Sequence, residues 1–366
     1  MARELKRIMF YVDTLGGGAE RVITNLASKF AAHGYEVLIR TTVKSAVEYK
    51  IPDNVKLTVL QAQMSTRETP LFIRIKRKFA RFLEVRRDIK AHDIVLSLMN
   101  GCNRRAILAA IGLKTKIIIS VRNDPKIEYP GFKGWLYSRL LLPFADGCVF
   151  QTQDAKSWFT KKLQDKSVVL FNEVKPEFFN IKREPVKGEI INIGRLDPQK
   201  NQKMLIKAVS MLHEKYPDLK LKIYGEGPLR SEIEDYIKSL NAESFVKLMG
   251  WTHDIGDAFA RAEMFILSSD FEGVSNALME ALAAGVPSIS TDCPPGGSKM
   301  LIDNMKDGML VPVGDADALA QAIEFLHANP DKAKLIGENA KKRAQNFEPE
   351  KVFKDWENYF IKIFNN

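Results

Sequence analysis

The amino-acid sequence predicts an α/β protein made of two doubly wound, parallel-sheet domains. Short apolar runs alternate with helical stretches along the whole chain, which is the pattern of parallel strands joined by crossover helices. The alternation stops once, over 173–187. This stretch is charged, contains Pro176 and Pro185, and shows neither helical nor strand spacing of its apolar residues. The alternation resumes with an apolar strand at 189–194. A length of 366 residues suits two domains of ordinary size.

These observations predict the boundaries of the domains and elements. The first domain is expected over 1–172, a linker over 173–187, the second domain over 188–345, and a last helix over 346–366 that can cross back to the first domain. The apolar runs predict strands at 7–13, 35–40, 55–60, 93–98, 116–121, 148–152, 167–171, 189–194, 219–225, 245–250, 264–267 and 287–291. Helical periodicity predicts helices beginning at 19 and over 71–90, 104–110, 202–215, 275–284 and 351–366, and two helices within 315–345.

The composition is that of a soluble globular protein, with 45% hydrophobic and 27% charged residues. No run of 18 apolar residues occurs, so we expect no transmembrane helix. The apolar stretch near the start is too short for a signal peptide. The three isolated cysteines, Cys102, Cys148 and Cys293, fit reduced thiols. We therefore expect a cytoplasmic protein.

The positive charge is concentrated in the first half of the chain. The net charge is +10, and residues 1–175 hold 31 Lys and Arg against 16 Asp and Glu. The remaining residues hold 24 against 29. This asymmetry predicts an anionic partner for the first domain, which leaves nucleic acid, an anionic membrane and phosphorylated substrates as candidates.

The most basic segment is the predicted helix at 71–90, with eight Lys or Arg against two acids. Five large apolar residues fall on one face of it: Phe72, Ile75, Phe79, Phe82 and Leu83. A basic amphipathic helix of this kind favours an anionic membrane surface. The alternative is a surface helix that docks this face on its own sheet. Nucleic acid is less favoured because no recognised binding module accompanies the charge.

The stretch 264–297 offers a binding site for phosphate. A strand ends at Ser268, and a helix then begins behind Ser275, a residue type that caps helices well. The free N–H groups at such a helix start, and its dipole, attract phosphate. The predicted donors are Ser275, Asn276, Ala277 and Leu278. Glu272 would lie beside them and Glu280 about two turns along, unless the stretch is a plain αβ unit with two surface glutamates.

Two further loops could bind a ligand, and each follows the first predicted strand of one domain. Arg195 and Lys200 stand five residues apart and could neutralise a pyrophosphate without a metal ion, although a solvated polar loop would look the same. A glycine-rich turn at 16–18 lets backbone approach a ligand closely. It lacks the dinucleotide fingerprint, because Arg21 stands where the third glycine is required.

Six motifs occur in a fixed order and carry a family resemblance. They are Gly-Gly-Ala-Glu-Arg at 17–21, Gly-Arg-Leu-Asp-Pro-Gln-Lys-Asn at 194–201, Gly-Glu-Gly-Pro at 225–228, Glu-Gly-x-x-Asn-x-x-x-Glu-Ala at 272–281, Ala-x-Gly-x-Pro at 283–287 and Asp-Gly-x-Leu-Val at 307–311. Together they resemble a retaining GT-B glycosyltransferase of family 4. The resemblance extends to members that build bacterial polysaccharides and undecaprenyl-diphosphate-linked oligosaccharides. It implies two Rossmann-like domains with a catalytic cleft between them.

The resemblance also assigns roles to individual residues. Arg195 and Lys200 match the pair that binds the donor diphosphate and stabilises the leaving UDP. Glu272 matches the glutamate that faces the donor sugar, and Glu280 the one that binds the ribose. The helix start at 275–278 would hold the phosphates. The remaining donor contacts are expected from Gly17, Gly18, Gly225, Glu226, Trp251 and Thr252.

The implied reaction is metal-independent and retains the anomeric configuration. Fixed cations and N–H donors would stabilise charge on the leaving phosphate, which can itself accept the acceptor proton. No cofactor is expected. Asp315 and Asp317 have the spacing of a GT-A metal site, but they begin a helix, where acids serve as caps. Arg122 and Asn123 stand where many relatives carry a histidine.

We therefore expect a UDP-sugar hexosyltransferase that acts on a polyprenyl-diphosphate-linked saccharide at the inner face of the membrane. The candidates for the lipid diphosphate are Arg104, Arg105, Arg122 and Lys126. A UDP-sugar epimerase and a transferase acting on a soluble acceptor are the alternatives among enzymes. A non-catalytic binding module is disfavoured by the paired cations and the two glutamates.

Overall fold

The computed structural model describes residues 4–15, 18–43, 51–61, 69–252 and 254–366. The chain forms two compact units: unit 1 comprises Met1–Leu170 and Phe353–Asn366, and unit 2 comprises Phe171–Val352. Each unit contains one sheet in which every strand pairing is parallel. The predicted α/β class with two doubly wound parallel sheets is therefore confirmed.

Unit 1 has a seven-stranded sheet with the strand order β3-β2-β1-β4-β5-β6-β7. The strands are β1 (Arg7–Val12), β2 (Glu36–Thr41), β3 (Val55–Val59), β4 (Ile94–Leu98), β5 (Lys116–Val121), β6 (Gly147–Phe150) and β7 (Ser167–Val169). The helices that follow them are α1 (Gly18–Ala32), α2 (Leu71–Lys90), α3 (Met99–Ala110), α4 (Pro125–Glu128), α5 (Gly131–Leu140), α6 (Gln153–Ser157) and α7 (Lys161–Gln164). The strand order reverses between β1 and β4, which is where open α/β sheets bind ligands.

The core of unit 1 lies on both faces of its sheet. On one face, Met9 of β1 shares a buried cluster with Val85 of α2, Cys102 of α3 and Leu142. Phe10 points to the opposite face because successive side chains alternate along a strand. There its ring lies 6.1 Å from that of Phe30 in α1. Helices α2 and α3 therefore cover one face, and α1 covers the other.

Unit 2 has a six-stranded sheet with the strand order β10-β9-β8-β11-β12-β13. The strands are β8 (Glu189–Ile193), β9 (Lys220–Tyr224), β10 (Val246–Gly250), β11 (Met264–Leu267), β12 (Ser288–Thr291) and β13 (Met309–Val311). The helices are α8 (Pro176–Phe179), α9 (Gln202–Leu212), α10 (Arg230–Ser239), α11 (Gly256–Arg261), α12 (Asn276–Ala283), α13 (Gly297–Leu301), α14 (Ala316–Ala328) and α15 (Pro330–Ala344). The last helix, α16 (Pro349–Asn365), begins in unit 2 and belongs to unit 1 from Phe353 onward. The order reverses between β8 and β11.

The ends of the two units involve segments that the sequence treats separately. In the stretch expected as a linker, Val174 and Phe178 are buried in a cluster of unit 2. From Phe353 onward, α16 belongs to unit 1, where the ring of Phe360 stacks 4.9 Å from Phe30. The hydroxyl of Tyr359 accepts a 2.8 Å hydrogen bond from the backbone N–H of Cys148. The last helix is thus an integral part of the unit 1 core.

Several helices of unit 1 differ from the sequence expectation, and the short helices α4, α6 and α7 were not predicted. Helix α3 begins at Met99 rather than at Arg104, because Asn100 and Gly101 have low helix propensity and only packing makes them helical. Helix α5 was not predicted, since its large residues follow no core-facing period. Helix α2 has the predicted bounds. Among the described residues, no helix is both long and apolar enough to span a membrane.

Glu128 ends α4 behind the carboxyl end of β5. Burial raises the pKa of its carboxyl group to about 7, although the nearby backbone N–H of Arg122, hydroxyl of Tyr129 and backbone N–H of Asn123 act in the opposite direction. The folded carboxyl group therefore holds its proton more tightly than the unfolded one does, and its ionisation opposes folding.

This shift predicts a pH-dependent free energy of unfolding. Stability should fall as pH rises from the ordinary glutamate range towards 7, and the Glu128 contribution should be level above that. Glu128→Gln should remove this slope, as measured by urea unfolding between pH 5 and 8. Glu338→Gln on the exposed side of α15 serves as the control, and an equal slope in wild type and Glu128→Gln would contradict the prediction.

Candidate active site

Three of the predicted site residues, Arg195, Lys200 and Glu272, lie at the carboxyl ends of β8 and β11. These strands are neighbours in the sheet of unit 2 and mark its reversal of strand order. The loop after β8 carries Arg195 and Lys200, and the loop after β11 carries Glu272. The backbone N–H of Asp270 donates to the carbonyl oxygen of Gln199 at 2.9 Å, which joins the two loops directly.

Lys200 and Glu272 form an ion pair between Nζ and Oε2, and their side chains are only 15% and 14% exposed. Two other groups contact the same carboxylate oxygen. Gln199 Nε2 and Ser269 Oγ each lie 3.3 Å from it. Two of the three predicted catalytic residues are therefore in contact in the structure. An anionic ligand that approaches Lys200 would share its ammonium group with Glu272.

The loop before α9 adopts the conformation that places Lys200. Asn201 has a left-handed backbone (φ 43°), which asparagine tolerates better than most residues. Its side-chain oxygen accepts from Met204 N at 3.2 Å and so caps α9. Its amide nitrogen donates to Asp270 Oδ1 at 2.7 Å. Asn201 thus holds the Lys200 loop to the segment after β11.

Arg195 is oriented differently from Lys200. Its Nε lies 2.5 Å from Asp197 Oδ2, while its side chain remains 71% exposed. Its backbone carbonyl accepts from Gln202 Nε2 at 3.0 Å. Asp197, whose side chain is buried, therefore holds the Nε of Arg195, while most of the Arg195 side chain remains exposed. Such a planar, exposed fork suits recognition of a phosphate.

The start of α12 has the cap that the sequence predicts. Ser275 Oγ accepts from Leu278 N at 3.4 Å, so one of the four expected phosphate donors is engaged within the helix. Asn276 Oδ1 accepts from Asn172 Nδ2 at 2.7 Å, and Ala277 occupies the second helical position. Glu280 lies about one helical turn after Ala277 and is 5% exposed.

The segment after β12 forms hydrogen bonds with the loop that carries Glu272. The backbone N–H of Glu272 donates to Pro294 O at 2.8 Å. Thr291 Oγ1 donates to Ser269 O at 2.5 Å. At Gly297 an added Cβ would lie 1.4 Å from Gly273 O, so only glycine fits. Sequence reasoning did not assign these supports; the Gly-Gly pair at 296–297 was the signal available.

The Gly225–Gly227 turn lies against the Arg195 loop. Added Cβ atoms at Gly225 and Gly227 would lie 2.0 Å from Gly194 O and 2.3 Å from Leu196 O. The carboxylate of Glu226 lies 2.5 Å from Arg230 Nη1. Close backbone contact therefore explains both glycines.

The segment after β10 adjoins this turn, because Gly225 N donates to Gly250 O at 2.8 Å. Trp251 follows directly and is 60% exposed. Thr252 Oγ1 lies 3.1 Å from the carbonyl oxygen of Asp254. The predicted uracil-side residues therefore lie on adjacent strand ends.

The candidate acceptor residues of unit 1 have separate surroundings. Arg105 Nη2 lies 2.5 Å from Asp13 Oδ1, at the strand-order reversal of that sheet. The guanidinium of Arg104 instead lies 4.8 Å from the centre of the Tyr137 ring in α5. Arg122 is buried at 8% exposure, and Lys126 is exposed. The four cations therefore differ in exposure, and Arg104 and Arg105 differ in partner.

Three other predictions concern glycines and metal ligands. Gly17 lies outside the described residues, and Gly18 is the first residue of α1. Asp315 Oδ1 accepts from Ala318 N at 2.8 Å, so Asp315 caps α14 as expected. Within the described part of the chain, no group of three or more potential ligands is placed to hold a metal ion.

Two protein-family models match consecutive parts of the chain. "Glycosyltransferase Family 4" matches residues 16–178, and "Glycosyl transferases group 1" matches residues 174–343. The two regions correspond to most of unit 1 and most of unit 2, and together they include every site residue discussed above.

Curated proteins from Campylobacter jejuni are similar along their whole length. One is a GalNAc-α-(1→4)-GalNAc-α-(1→3)-diNAcBac-PP-undecaprenol α-1,4-N-acetyl-D-galactosaminyltransferase, 29% identical over 99% of this chain and 100% of its own. Another is an N-acetylgalactosamine-N,N'-diacetylbacillosaminyl-diphospho-undecaprenol 4-α-N-acetylgalactosaminyltransferase, 29% identical over 98% of this chain and all of its own.

Solved structures share the fold. Anabaena HepE in complex with UDP superposes with a TM-score of 0.84 at 17% identity, covering 97% of this chain and 100% of that one. Sucrose-phosphate synthase from Thermosynechococcus elongatus gives 0.81 at 18% identity, covering 98% and 99%. With the two family models and the paired parallel sheets, these similarities establish that the chain belongs to the GT-B glycosyltransferases of family 4.

Proposed function

We propose that this glycosyltransferase transfers a hexose or N-acetylhexosamine from a UDP-sugar to a polyprenyl-diphosphate-linked saccharide. The observation that carries the donor half is the meeting of Lys200, Glu272 and the start of α12 at one end of the unit 2 sheet. Cations and the N–H groups of a helix start suit a diphosphate, and a carboxylate suits sugar hydroxyls. The names of the Campylobacter relatives support the lipid-linked acceptor.

The proposed reaction retains the anomeric configuration and needs no metal ion. Negative charge grows on the leaving phosphate as the bond to the sugar breaks. Lys200 and Arg195 would stabilise that charge, as fixed cations do in a site prepared before the reaction. Glu272 would contact the sugar hydroxyls and would also hold Lys200 in place. The leaving phosphate would take the proton from the acceptor hydroxyl on the same face of the sugar.

The proposed acceptor half is assigned to the basic unit 1. We assign Arg105 to the lipid diphosphate, because it stands at the strand-order reversal with a side chain that is 39% exposed. Arg104, Arg122 and Lys126 remain further candidates. An epimerase acting on free UDP-sugar would need neither these cations nor the exposed apolar face of α2.

We further propose that α2 binds the protein to an anionic membrane. The alternative was that its apolar face docks on the sheet, but only Val85 and Ile89 of this helix are buried. The five residues of the predicted face are all exposed, from 36% at Phe82 to 70% at Phe72. A helix that combines this face with eight cations suits anionic lipid.

The function is tested by a donor screen with purified enzyme and a synthetic polyprenyl-diphosphate saccharide. We expect UDP-sugar-dependent extension, an α-linked product from an α-linked donor, and full activity in EDTA. NMR of the product establishes the linkage, and mass spectrometry the sugar added. A β-linked product would exclude retention, loss of activity in EDTA would exclude metal independence, and epimerised UDP-sugar without acceptor would favour the epimerase.

The two glutamates should fail in different ways. Glu280→Ala should weaken UDP binding about 30-fold, the equivalent of roughly 2 kcal/mol for a charged hydrogen bond. Glu272→Ala should mainly lower kcat, by about 100-fold, because Lys200 loses the partner that positions it against the leaving group. Calorimetry with UDP and steady-state kinetics separate the two effects. Glu338→Ala on α15 is the control, and equal loss of UDP affinity in both variants would refute this division of roles.

Membrane binding by α2 is tested with charge-removal variants. Changing Arg74, Lys76, Arg77 and Lys78 to Ser should lower binding to vesicles that contain phosphatidylglycerol by about 100-fold, since each cation near the surface contributes about 1 kcal/mol before screening. The matched control removes four charges from α15 of unit 2, at Lys332, Lys334, Lys341 and Lys342. Equal binding of both variants would refute membrane binding by α2 and favour an ordinary surface helix.

A further inference from the structure

Helix α5 exposes the residues that a surface helix normally buries. Its buried residues are Gly134 and Ser138, one turn apart on the same face. Phe132 and Leu140, in contrast, are 73% and 62% exposed. An ordinary amphipathic helix docks its large apolar side chains and exposes its polar ones, so the arrangement in α5 is the reverse.

Close packing against the preceding turn fixes this orientation. A Cβ added at Gly134 would lie 2.3 Å from the backbone carbonyl carbon of Tyr129, so the helix contacts that backbone through a residue without a side chain. Tyr129 itself is 1% exposed. No side chain therefore fits beneath α5 at Gly134, and the large residues of the helix lie on its exposed side.

The exposed large residues of α5, with Phe144 just after the helix, form an apolar, largely aromatic surface that we call the α5 patch. It consists of Phe132, Trp135, Leu136, Tyr137, Leu140 and Phe144, each at least 37% exposed. The rings of Phe132 and Trp135 stack with their centres 5.9 Å apart. Groups of exposed large apolar residues of this kind mark interaction sites on proteins.

Cations border the α5 patch. The guanidinium carbons of Arg104 and Arg139 lie 4.8 Å and 5.8 Å from the ring centres of Tyr137 and Trp135. Lys162 Nζ lies 5.3 Å from the ring centre of Phe144. Helix α5 itself contains no acidic residue. Aromatic rings beside Arg and Lys are the combination found at the interface of anionic membranes.

The α5 patch belongs to the same helical layer as α2. Arg86 of α2 donates to the carbonyl oxygens of Ala109 and Ile111 at 2.7 Å and 2.8 Å, which joins α2 to the end of α3. Leu142, just after α5, lies in the buried cluster that contains Val85 of α2. Helices α2 and α3 cover one face of the unit 1 sheet, and the residues that flank α5, Tyr129 and Leu142, belong to the cluster on the same face.

We propose that the α5 patch is a second membrane-contact site, which inserts its aromatic side chains into the interfacial region of an anionic bilayer beside α2. This inference rests on the proposed function, which places α2 on the membrane. The two sites differ in their chemistry: α2 carries eight cations, whereas α5 carries only Lys133 and Arg139. Insertion of the α5 patch should therefore depend less on salt than binding by α2.

Tryptophan fluorescence tests the insertion directly. Vesicles with brominated acyl chains should quench part of the emission of the full-length protein, and Trp135→Phe should lose that quenched part. The other three tryptophans, Trp158, Trp251 and Trp356, remain in the variant. Equal quenching of wild type and Trp135→Phe would overturn the inference, and this variant keeps an aromatic ring at the site.

A binding experiment measures the contribution of the α5 patch. Phe132→Ser with Leu140→Ser should weaken binding to phosphatidylglycerol vesicles in 0.5 M salt by about tenfold, because two inserted side chains are lost. Leu335→Ser with Met211→Ser is the control, since these residues of unit 2 are 56% and 46% exposed. Thermal unfolding establishes that each variant is folded.

The outcomes separate this inference from the proposed function. If wild type binds vesicles and the α5 variant binds equally well, the α5 patch has no membrane role. If the α5 variant alters the oligomeric state in sedimentation experiments instead, its occupant is a second copy of the chain. If wild type binds no vesicles, membrane contact through both helices is refuted. Transfer to a short-chain acceptor in detergent then still tests the catalytic proposal.

Discussion

The ion pair between Lys200 and Glu272 depends on the order of strands in unit 2. The two residues are 72 positions apart in the chain and meet because β8 and β11 are neighbours with their carboxyl ends at the same edge. A parallel sheet that reverses its strand order leaves a crevice at that point, since the helices on either side of the reversal cover opposite faces. Removing this adjacency would separate the cation from the carboxylate and leave each with only local partners.

The surroundings of this pair favour a fixed geometry. Asn201 joins the loop after β8 to Asp270, and Pro294 accepts the backbone N–H of Glu272. At Gly297 the backbone of a third loop approaches so closely that no side chain fits. A site held by three strand ends need not reorganise when charge develops on a ligand, and that is the condition under which electrostatic stabilisation is most effective.

Unit 1 follows a different principle, because its outer helices expose apolar surface rather than burying it. In α2 the exposed aromatic face is accompanied by many cations, and in α5 small residues occupy the packing face. Neither arrangement benefits an isolated soluble domain, since exposed apolar area forgoes about 25 cal/mol per Å² of hydrophobic stabilisation. A lipid surface would restore that stabilisation, which connects the fold of unit 1 to the proposed acceptor.

The sequence by itself determined the fold class, the family and most strand positions, because parallel strands are short apolar runs and the phosphate-type loops use glycine and capping residues at fixed spacings. It also determined the bounds of α2 and the caps at Ser275 and Asp315, which are local interactions. Only the tertiary structure decided that Lys200 contacts Glu272, that Arg104 and Arg105 have different partners, and that α5 exposes its aromatic residues. The first two depend on contacts between residues that are distant in the chain, and the third depends on what packs beneath the helix. The local periodicity of the sequence predicts neither kind of contact.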